Sequence, residues 1–442
     1  MSTTERRQPT RTDDGTVRRA SWAGLVGTAL EQYDFVIYGT ASAIVFPELF
    51  FPEASPAAGT IASFSTYAVG FAARPVGGFL FSLVGDRWGR KFVLVATLFL
   101  MGFATLAIGL LPTYAQVGVW APTLLVACRL LQGLGAGAEQ AGGIVLISET
   151  APKGARGRLA SLVYVGAAAG TALGALVWLL VQRMPEADVE SYGWRLVFLS
   201  SIFVTIAAYF IRRKLRESPV FQDVRDKVEA VPQVPVSDVL AHGRRPLAQV
   251  FFMNIGGNTH SYIFQVFLAA YLIDTVGVEE SLIPKALLAG ALAACVSAYV
   301  AGRLTDRFGR RRVFLVIATF LILFTVPGLA MITTGNTALV YLVVIVGFIF
   351  AAYGTVGSQA AWFPELFGSR YRYAGVALGR EFSSVVGGGI SPLVCASLVA
   401  WASDGWWPVA IYMIALMTIS LVAAWLSPET RDRDLRTQTD AN

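Results

Sequence analysis

The sequence predicts an all-α membrane protein that crosses the bilayer many times, and three observations support this fold class. Of its 442 residues, 55% are hydrophobic and only 14% are charged, whereas about 25% are charged in a typical soluble domain. Apolar runs long enough for a spanning helix of about 20 residues recur along the chain. Basic residues are concentrated in alternate connecting segments. These features exclude a disordered chain, a nucleic-acid-binding module and an ordinary soluble enzyme.

Twelve apolar segments are expected to be the spanning helices, six on each side of a polar stretch at 212–246. They lie at about 21–46, 60–84, 92–112, 118–148, 159–182, 194–211, 247–273, 283–303, 313–333, 338–363, 374–399 and 406–427. We therefore divide the chain into an N-terminal tail, a six-helix half, a central loop, a second six-helix half and a C-terminal tail. Their ranges are 1–20, 21–211, 212–246, 247–427 and 428–442.

The distribution of Lys and Arg predicts the orientation of the helices. With both termini placed in the cytoplasm, the cytoplasmic tails and loops hold 29 of the 35 basic residues, and the outer loops hold only Arg183. The remaining five lie within or at the ends of apolar segments. Because Lys and Arg accumulate in cytoplasmic loops, we predict a multi-pass protein of the plasma (cytoplasmic) membrane with both termini inside.

An internal repeat relates the two halves. Gly-Asp-Arg-Trp-Gly-Arg-Lys (85–91) follows the second segment, and Thr-Asp-Arg-Phe-Gly-Arg-Arg-Arg (305–312) follows the eighth. Glu149 and Arg156 after the fourth segment are matched by Glu365 and Arg372 after the tenth, each 216 residues later. Such repeats place a substrate site near the midplane, where the halves meet.

The repeated loops are predicted to act in gating. Gly permits the sharp turn, and the Asp can pair with an Arg or accept hydrogen bonds from a helix N-terminus. The result would be an ionic latch that breaks and reforms; a static ion-pair brace is the alternative. The predicted gating residues are Asp86, Arg87, Gly89, Arg90, Asp306, Arg307, Gly309, Arg310, Glu149 and Arg156.

Several motifs together resemble the metabolite:proton symporter branch of the major facilitator superfamily. They are Ala-Leu-Glu-Gln-Tyr-Asp-Phe (29–35), Phe-Phe-Pro (50–52), Arg-Pro-Val-Gly-Gly (74–78), Arg-Leu-Leu-Gln-Gly (129–133), Gly-Ala-Glu-Gln (137–140) and Arg-Glu-Ser-Pro-Val-Phe (216–221). The resemblance implies two six-helix halves and transport of an organic acid, shikimate, proline or a betaine. It also implies a monomer. The sequence departs from the branch at Gln32 and Gln140, where Trp is usual, and at Ala138 and Ser82, where Gly is usual.

The first segment carries Glu31, Asp34 and Tyr38 on one helical face, within about 60° at 100° per residue. An ionisable residue in a span costs roughly 2.5–3.5 kcal/mol on insertion scales and is often functional. Two neighbouring carboxylates in an apolar setting favour proton binding, so Glu31 and Asp34 are candidate proton carriers. The alternative is a carboxylate permanently paired with an Arg.

The fourth segment carries a polar face of Arg129, Gln132, Glu139 and Gln140, within an arc of about 100°. Arg129 could bind a substrate carboxylate through two hydrogen bonds or pair with Glu31 or Asp34; the resemblance favours a coupling or structural role. Glu139 is a second candidate proton site, with an ion pair as the alternative. The run Gly133-Leu-Gly135-Ala-Gly137 imitates a dinucleotide-binding fingerprint, but within a span it indicates close helix packing.

Other polar residues of the apolar segments are candidates for substrate binding. Four of them form a strip on the seventh segment that either faces the cavity or joins helices. Arg74, before Pro75, is a second cation for an acid; Arg380, near a predicted helix end, could instead extend to the membrane surface, and Trp362 could belong to the core. The predicted binding residues are Arg129, Arg74, Tyr38, Gln132, Gln140, Asn254, Asn258, Ser261, Gln265, Gln359, Trp362 and Arg380.

The predicted function is proton-coupled symport of a small organic acid (a carboxylate) or a zwitterion by alternating access. An uncoupled facilitator or an exporter is the alternative, and a channel or a membrane enzyme is a further class. We expect no enzymatic activity, since no metal-ligand spacing, nucleophile motif or phosphate loop is present. We expect no cofactor and no metal. The expected partners are the substrate, protons and the lipid bilayer, without nucleic acid.

Overall fold

A computed structural model describes residues 14–88, 90–137, 140–213, 239, 241, 243–369, 371–435 and 439–441. At some of these positions, 82–88 among them, only the backbone is described. The regular secondary structure of the described residues is entirely helical. This agrees with the predicted fold class.

Twelve long helical segments, α1 to α12, follow one another along the chain, and six of them consist of consecutive shorter helices. In chain order they are Asp14–Ile44, Pro56–Trp88, Arg90–Gly109, Trp120–Ala136 with Gln140–Thr150, Arg156–Ala160 with Leu162–Val181, Trp194–Leu199 with Ser201–Arg213, Arg244–Tyr262 continued to Val276, Leu282–Phe308, Arg310–Ile332, Thr337–Gly347 continued to Leu366, Arg372–Ser384 continued to Trp401, and Trp407–Leu426.

Each of the twelve predicted apolar segments coincides with one of these helices. Six helices of the described chain are both long and apolar enough to span a bilayer: Lys153–Val181, Leu282–Phe308, Arg310–Ile332, Thr337–Leu366, Arg372–Trp401 and Trp407–Leu426. Helices α1 and α7 are less apolar because they carry the polar residues singled out above. The exact division of the chain at 212–246 stays a prediction, since most of that loop lies outside the described residues.

The two halves, α1–α6 and α7–α12, meet along the length of the molecule. Helix α5 packs against α8, α2 against α11, α1 against α7, and α4 against α11. The contact of α2 with α11 is the counterpart of the contact of α8 with α5, because α8 repeats α2 and α11 repeats α5. We call the end that carries 149–158, 303–312 and 364–373 the basic end, and the other the opposite end.

Glycines bring α2 and α4 into backbone contact. A Cβ atom built on Gly133 would lie 2.0 Å from the carbonyl oxygen of Gly70, and one on Gly137 would lie 1.9 Å from that of Arg74. In the same way, a Cβ on Gly77 would lie 2.0 Å from the carbonyl oxygen of Leu134. The packing interpretation of the Gly133–Gly137 run is confirmed.

Three helices of the second half contain short π-helical stretches. These are Ile263–Phe267 and Tyr271–Val276 in α7, Phe348–Ala352 in α10 and Val385–Gly389 in α11. A π-type turn locally breaks the regular ladder of backbone hydrogen bonds and is frequent at functional sites. In α7 and α11 it lies next to the polar residues that face the first half.

Candidate functional site

The interface between the halves contains a buried cluster of three charged side chains. The Nη2 atom of Arg74 on α2 lies 2.9 Å from Oε1 of Glu31 on α1. The Nε atom of Arg74 donates to Oε2 of Glu381 on α11 at 2.7 Å, and Nη2 lies 3.3 Å from Oε1 of the same carboxylate. All three side chains are at most 5% exposed. Arg74 therefore links two carboxylates, one from each half.

This arrangement places Glu31 beside an arginine in the present conformation, and its role as a proton carrier stays a prediction. Glu31 is paired with an Arg, and the partner is Arg74 rather than Arg129. Glu381 was not among the candidate residues, although it is a carboxylate inside an apolar segment. It lies about 100° around α11 from Arg380, the candidate residue that the sequence suggests on this helix.

Arg129 is buried within the first half, and its guanidinium carbon lies 5.3 Å from the centre of the Phe35 ring, to which Arg74 is also close at 5.2 Å. Arg129 is fully buried, and its guanidinium carbon lies 3.9 Å from the centre of the Tyr38 ring and 5.1 Å from that of Tyr67. Its Nη1 atom donates to Oε1 of Gln132, whose Nε2 donates to Oγ1 of Thr105 at 2.7 Å. Arg129 thus contacts aromatic rings and an amide of its own half.

Asp34 faces the same region and completes the polar network of the first half. Arg129, Thr105 and Gln132 all interact with it electrostatically. A cavity of about 10 Å³ adjoins both Asp34 and Glu31, which is room for about one water molecule. The two carboxylates of α1 therefore have different cations: Arg74 for Glu31 and Arg129 for Asp34.

Two hydrogen bonds between amide or hydroxyl groups also cross the interface. The Nε2 atom of Gln32 donates to Oε1 of Gln265 at 3.0 Å, and Gln265 donates in turn to Oγ of Ser261 at 2.7 Å. The hydroxyl groups of Thr171 on α5 and Tyr353 on α10 are 2.6 Å apart. These neutral contacts join the halves on either side of the charged cluster.

The other two polar residues of the α7 strip bind to α11 of the same half. Asn254 donates to Oγ of Ser383 at 2.7 Å, and Asn258 donates to Oγ of Ser384 at 3.0 Å. Gln359 on α10 donates to the carbonyl oxygen of Met253 at 2.9 Å. In this conformation these amide groups join helices, which was the alternative to a cavity-lining role.

Arg380 and Trp362 occupy different surroundings. Arg380 is 5% exposed, and its guanidinium carbon lies 5.5 Å from the centre of the Tyr164 ring on α5, so it points into the interface instead of extending to the membrane surface. The indole of Trp362 is fully buried at the basic end and donates to the carbonyl oxygen of Pro428 at 3.1 Å. That position favours the core alternative for Trp362.

At the basic end, Asp306 joins the two halves. Its Oδ1 and Oδ2 atoms accept hydrogen bonds from the backbone N–H groups of Gly157 and Arg158, at 2.8 and 2.9 Å. Oδ1 also lies 2.7 Å from Nη1 of Arg310. Gly309 between them has a φ of +97°, a conformation that glycine adopts without strain. Asp306 thus contacts both an Arg and the start of α5.

Further ion pairs extend this network. Arg310 also binds Glu365, with Nη2 3.0 Å from Oε1, and Nη1 of Arg156 lies 3.8 Å from the same oxygen. Nη1 of Arg372 lies 2.6 Å from Oε1 of Glu149 across the interface. The side chain of Arg307 is exposed and lies over Phe308, so it stands outside the network.

The described C-terminal residues, 428–435 and 439–441, lie across the basic end. Glu429 accepts hydrogen bonds from the backbone N–H groups of Arg310 and Arg311, at 2.9 and 3.1 Å. Nη1 of Arg156 in the first half donates to the carbonyl oxygen of Arg433 at 2.7 Å, and the N–H of Ala441 donates to the carbonyl oxygen of Leu366 at 2.9 Å. We call these two described stretches the C-terminal strap. No pattern in the sequence had indicated it.

The side-chain positions of several predicted site residues are not described. Glu139 and Gly89 lie outside the described residues. The side chains of Gln140, Asp86, Arg87 and Arg90 do so too, although their backbone is helical. Their predicted roles are unchanged.

Comparison with known proteins identifies the class. The model of the Major Facilitator Superfamily matches residues 25–392 and 262–441. The chain is 35% identical over 433 residues to the shikimate transporter of Escherichia coli K12, covering 96% of this chain and 98% of that protein. It is 31% identical over 441 residues to the proline/betaine transporter of Salmonella typhimurium LT2, covering 97% and 87%. The chain belongs to the major facilitator superfamily, whose members are transporters and not enzymes.

Solved structures agree with this assignment at the level of the fold. The crystal structure of the D-xylose-proton symporter superposes with a TM-score of 0.73 at 18% identity, covering 95% of this chain and 100% of that one. The protein is therefore a membrane transporter with twelve helices in two pseudo-symmetric halves, as the sequence predicted. A further relative, the inner membrane metabolite transport protein YhjE of Escherichia coli K12, is 36% identical over 424 residues, covering 93% of this chain and 94% of that protein. Metabolite transport is the level of function that these relatives share.

Proposed function

We propose that the protein is a proton-coupled symporter of a small organic acid or zwitterion that works by alternating access. The observation that supports this most directly is the buried Glu31–Arg74–Glu381 cluster. It lies where the two halves meet, and it supplies both a cation for a carboxylate and groups that bind protons. The shikimate and proline/betaine transporters among the relatives carry substrates with a carboxylate group.

In the proposed cycle, Asp34 and Glu31 exchange protons, and their partners Arg129 and Arg74 transmit the change. Protonation of either carboxylate removes the attraction that holds its arginine, so the arginine can turn towards a substrate anion. Gln32 and Gln265, which bind each other across the interface, would then part and bind substrate oxygen atoms. Glu139 remains a second proposed proton site.

The basic end is proposed to be the cytoplasmic gate, because its loops belong to the predicted cytoplasmic segments, which together hold 29 of the 35 Lys and Arg residues. Asp306, Arg310, Glu365, Glu149 and Arg372 close it in the present conformation. The protein would lie in the cytoplasmic membrane as a monomer, with both termini inside and with the two halves divided at 212–246.

The test is transport by the purified protein in liposomes. Radiolabelled shikimate, proline and glycine betaine are offered with an inward proton gradient, and we expect one of them to accumulate above its external concentration. Accumulation should disappear when an ionophore collapses the gradient. The variants Glu31→Gln and Asp34→Asn should lose it, whereas Glu190→Gln, an exposed carboxylate at the opposite end, should keep it.

The alternatives give different results in the same assay. An uncoupled facilitator would equilibrate the substrate without accumulating it, and an exporter would accumulate it only with the opposite gradient. Concentrative uptake that persists in both carboxylate variants would contradict the coupling residues proposed here.

A further inference from the structure

We propose that Glu381 is the coupling carboxylate of the second half, and that a substrate carboxylate replaces it on Arg74 once Glu381 is protonated. This inference rests on the proposed function and specifies its substrate as an anion. One proton then moves with one monocarboxylate, because Asp34 and Glu31 are ionised again once Glu381 holds the proton, and the transport cycle carries no net charge.

The geometry distinguishes Glu381 from Glu31. Arg74 and Glu31 both belong to the first half, so their ion pair can persist while the halves rock against each other. The pair of Arg74 with Glu381 crosses the interface, and it must break whenever the halves separate at this level. A carboxylate of the second half is therefore the one whose protonation state is linked to the movement.

A substrate carboxylate would bind Arg74 in the same geometry as the Glu381 carboxylate does. Nε and Nη2 of Arg74 both face the Glu381 carboxylate, at 2.7 and 3.3 Å, which is the two-point geometry of arginine with a carboxylate. Glu31 approaches Arg74 at Nη2, with its Oε1 atom 2.9 Å away. A substrate carboxylate can occupy the position of the Glu381 carboxylate without disturbing Glu31.

The surroundings favour an exchange over a simple release. The guanidinium carbon of Arg74 lies 5.2 Å from the ring centre of Phe35 and 5.3 Å from that of Phe71. The titratable or charged groups facing Glu381 are Arg74, Glu31, Tyr164, Tyr262 and Arg380. When Glu381 is protonated and leaves, Arg74 keeps its ion pair with Glu31, but its Nε–H group loses its acceptor. A buried donor without an acceptor is costly, so a second carboxylate is favoured in that place.

The charge balance follows from this exchange. Before binding, the cluster holds two carboxylates and one guanidinium. After binding, it holds ionised Glu31, protonated Glu381, Arg74 and the substrate anion, so its charge is unchanged. The proton taken from one side of the membrane is released from Glu381 on the other, together with the substrate.

The closing experiment uses shikimate as the probe, with its uncharged methyl ester as the counterpart. In liposomes containing the wild-type protein, we expect a pH gradient to drive accumulation of shikimate. A membrane potential alone should drive none, and the methyl ester should not compete. E381Q should lose accumulation but still exchange labelled for unlabelled shikimate, and E381D should restore accumulation. Glu190→Gln is the matched control.

Two outcomes would overturn the assignment of Glu381: accumulation driven by potential alone in the wild type, or undiminished accumulation in E381Q. By contrast, a wild-type protein that accumulates none of the substrates named above contradicts the proposed function itself.

A measurement without ligand tests Glu381 separately. Spin labels at the exposed positions Ser55 and Glu280, one on each half, should show a longer distance distribution in E381Q, and an unchanged distribution would contradict the proposal.

Discussion

At the scale of single residues, Arg74 is the side chain on which most of the site depends. It is 2% exposed, it binds two carboxylates from different halves, and it lies over two phenylalanine rings. A guanidinium group can hold two carboxylates at once because it presents several N–H groups in a fixed plane. A lysine offers one compact charge, so it would hold Glu31 or Glu381 less precisely.

We therefore expect Arg74→Ala to destabilise the protein strongly. Removing one partner of a buried ion pair costs about 3–5 kcal/mol, because an uncompensated charge stays buried. Thermal unfolding of the purified protein in detergent should show a clearly lower midpoint for Arg74→Ala and an intermediate one for Arg74→Lys. Arg183→Ala, at an exposed position, is the control. Equal midpoints for Arg74→Ala and the control would argue against the cluster described here.

At the scale of helices, contact between backbones determines how the first half packs. Helices α2 and α4 touch at Gly70, Gly77, Gly133 and Gly137, and Gly166 and Gly170 on α5 are equally close to α1. In a bilayer, small residues allow this approach and the van der Waals contact that holds helices together. The same contact fixes the depth of Arg74, because the carbonyl oxygen of this residue touches Gly137.

Gly133→Ala should accordingly separate α2 from α4. The added Cβ would lie 2.0 Å from the Gly70 carbonyl oxygen, and backbone cannot move aside as a flexible side chain can. Overpacking of this kind costs about 1–3 kcal/mol or more, so we expect a lower unfolding midpoint and a lower yield of folded protein. Gly154→Ala is the matched control, since nothing lies within 4 Å of its added Cβ. A normal midpoint for Gly133→Ala would contradict the close approach.

The positions of the helices were predictable from the sequence, but the side-chain contacts between helices were only partly predictable. Twelve apolar runs and the repeated Asp-Arg motifs are local signals, and they defined the fold and the residues of the basic end. The Arg74–Glu381 pair joins residues 307 positions apart, and no periodicity connects them. Residues 428–441 are polar, so hydropathy marks them as a tail and gives no sign of the C-terminal strap.

At the scale of the whole molecule, contacts between the halves occur at three levels. At the basic end, Asp306 accepts hydrogen bonds from the start of α5, and Glu149 forms an ion pair with Arg372. The Arg74 cluster and the Gln32–Gln265 hydrogen bond lie between the ends. At the opposite end, Thr60 donates to Oδ2 of Asp274 at 3.2 Å. Because charged contacts predominate at the basic end, that end is held most firmly in this conformation.

Asp306→Asn should loosen the basic end. The amide loses the ion pair with Arg310 and one of its two acceptors for the N–H groups of α5; hydrogen bonds to a charged group contribute about 1.5–3 kcal/mol. The loosening of the basic end is measured with a cysteine introduced at the buried Ser161. The three native cysteines are first replaced. An impermeant maleimide should label the introduced cysteine faster in Asp306→Asn than in the Asp432→Asn control.

The same experiment checks the proposed orientation. Labelling should occur in inside-out vesicles and not in right-side-out ones, since the basic end is expected to face the cytoplasm. Equal labelling rates for the Asp306 and Asp432 variants would contradict a latch at this site, and labelling only from the outer face would reverse the proposed orientation.

The C-terminal strap has a consequence for biosynthesis. Arg156 hydrogen-bonds to the backbone of Arg433, a residue 277 positions further along the chain. Because the ribosome makes the chain from its amino terminus, the first six helices can be inserted while this contact still lacks its partner. The basic end is completed only after Arg433 has left the ribosome, so this surface cannot assemble while the first half is being inserted.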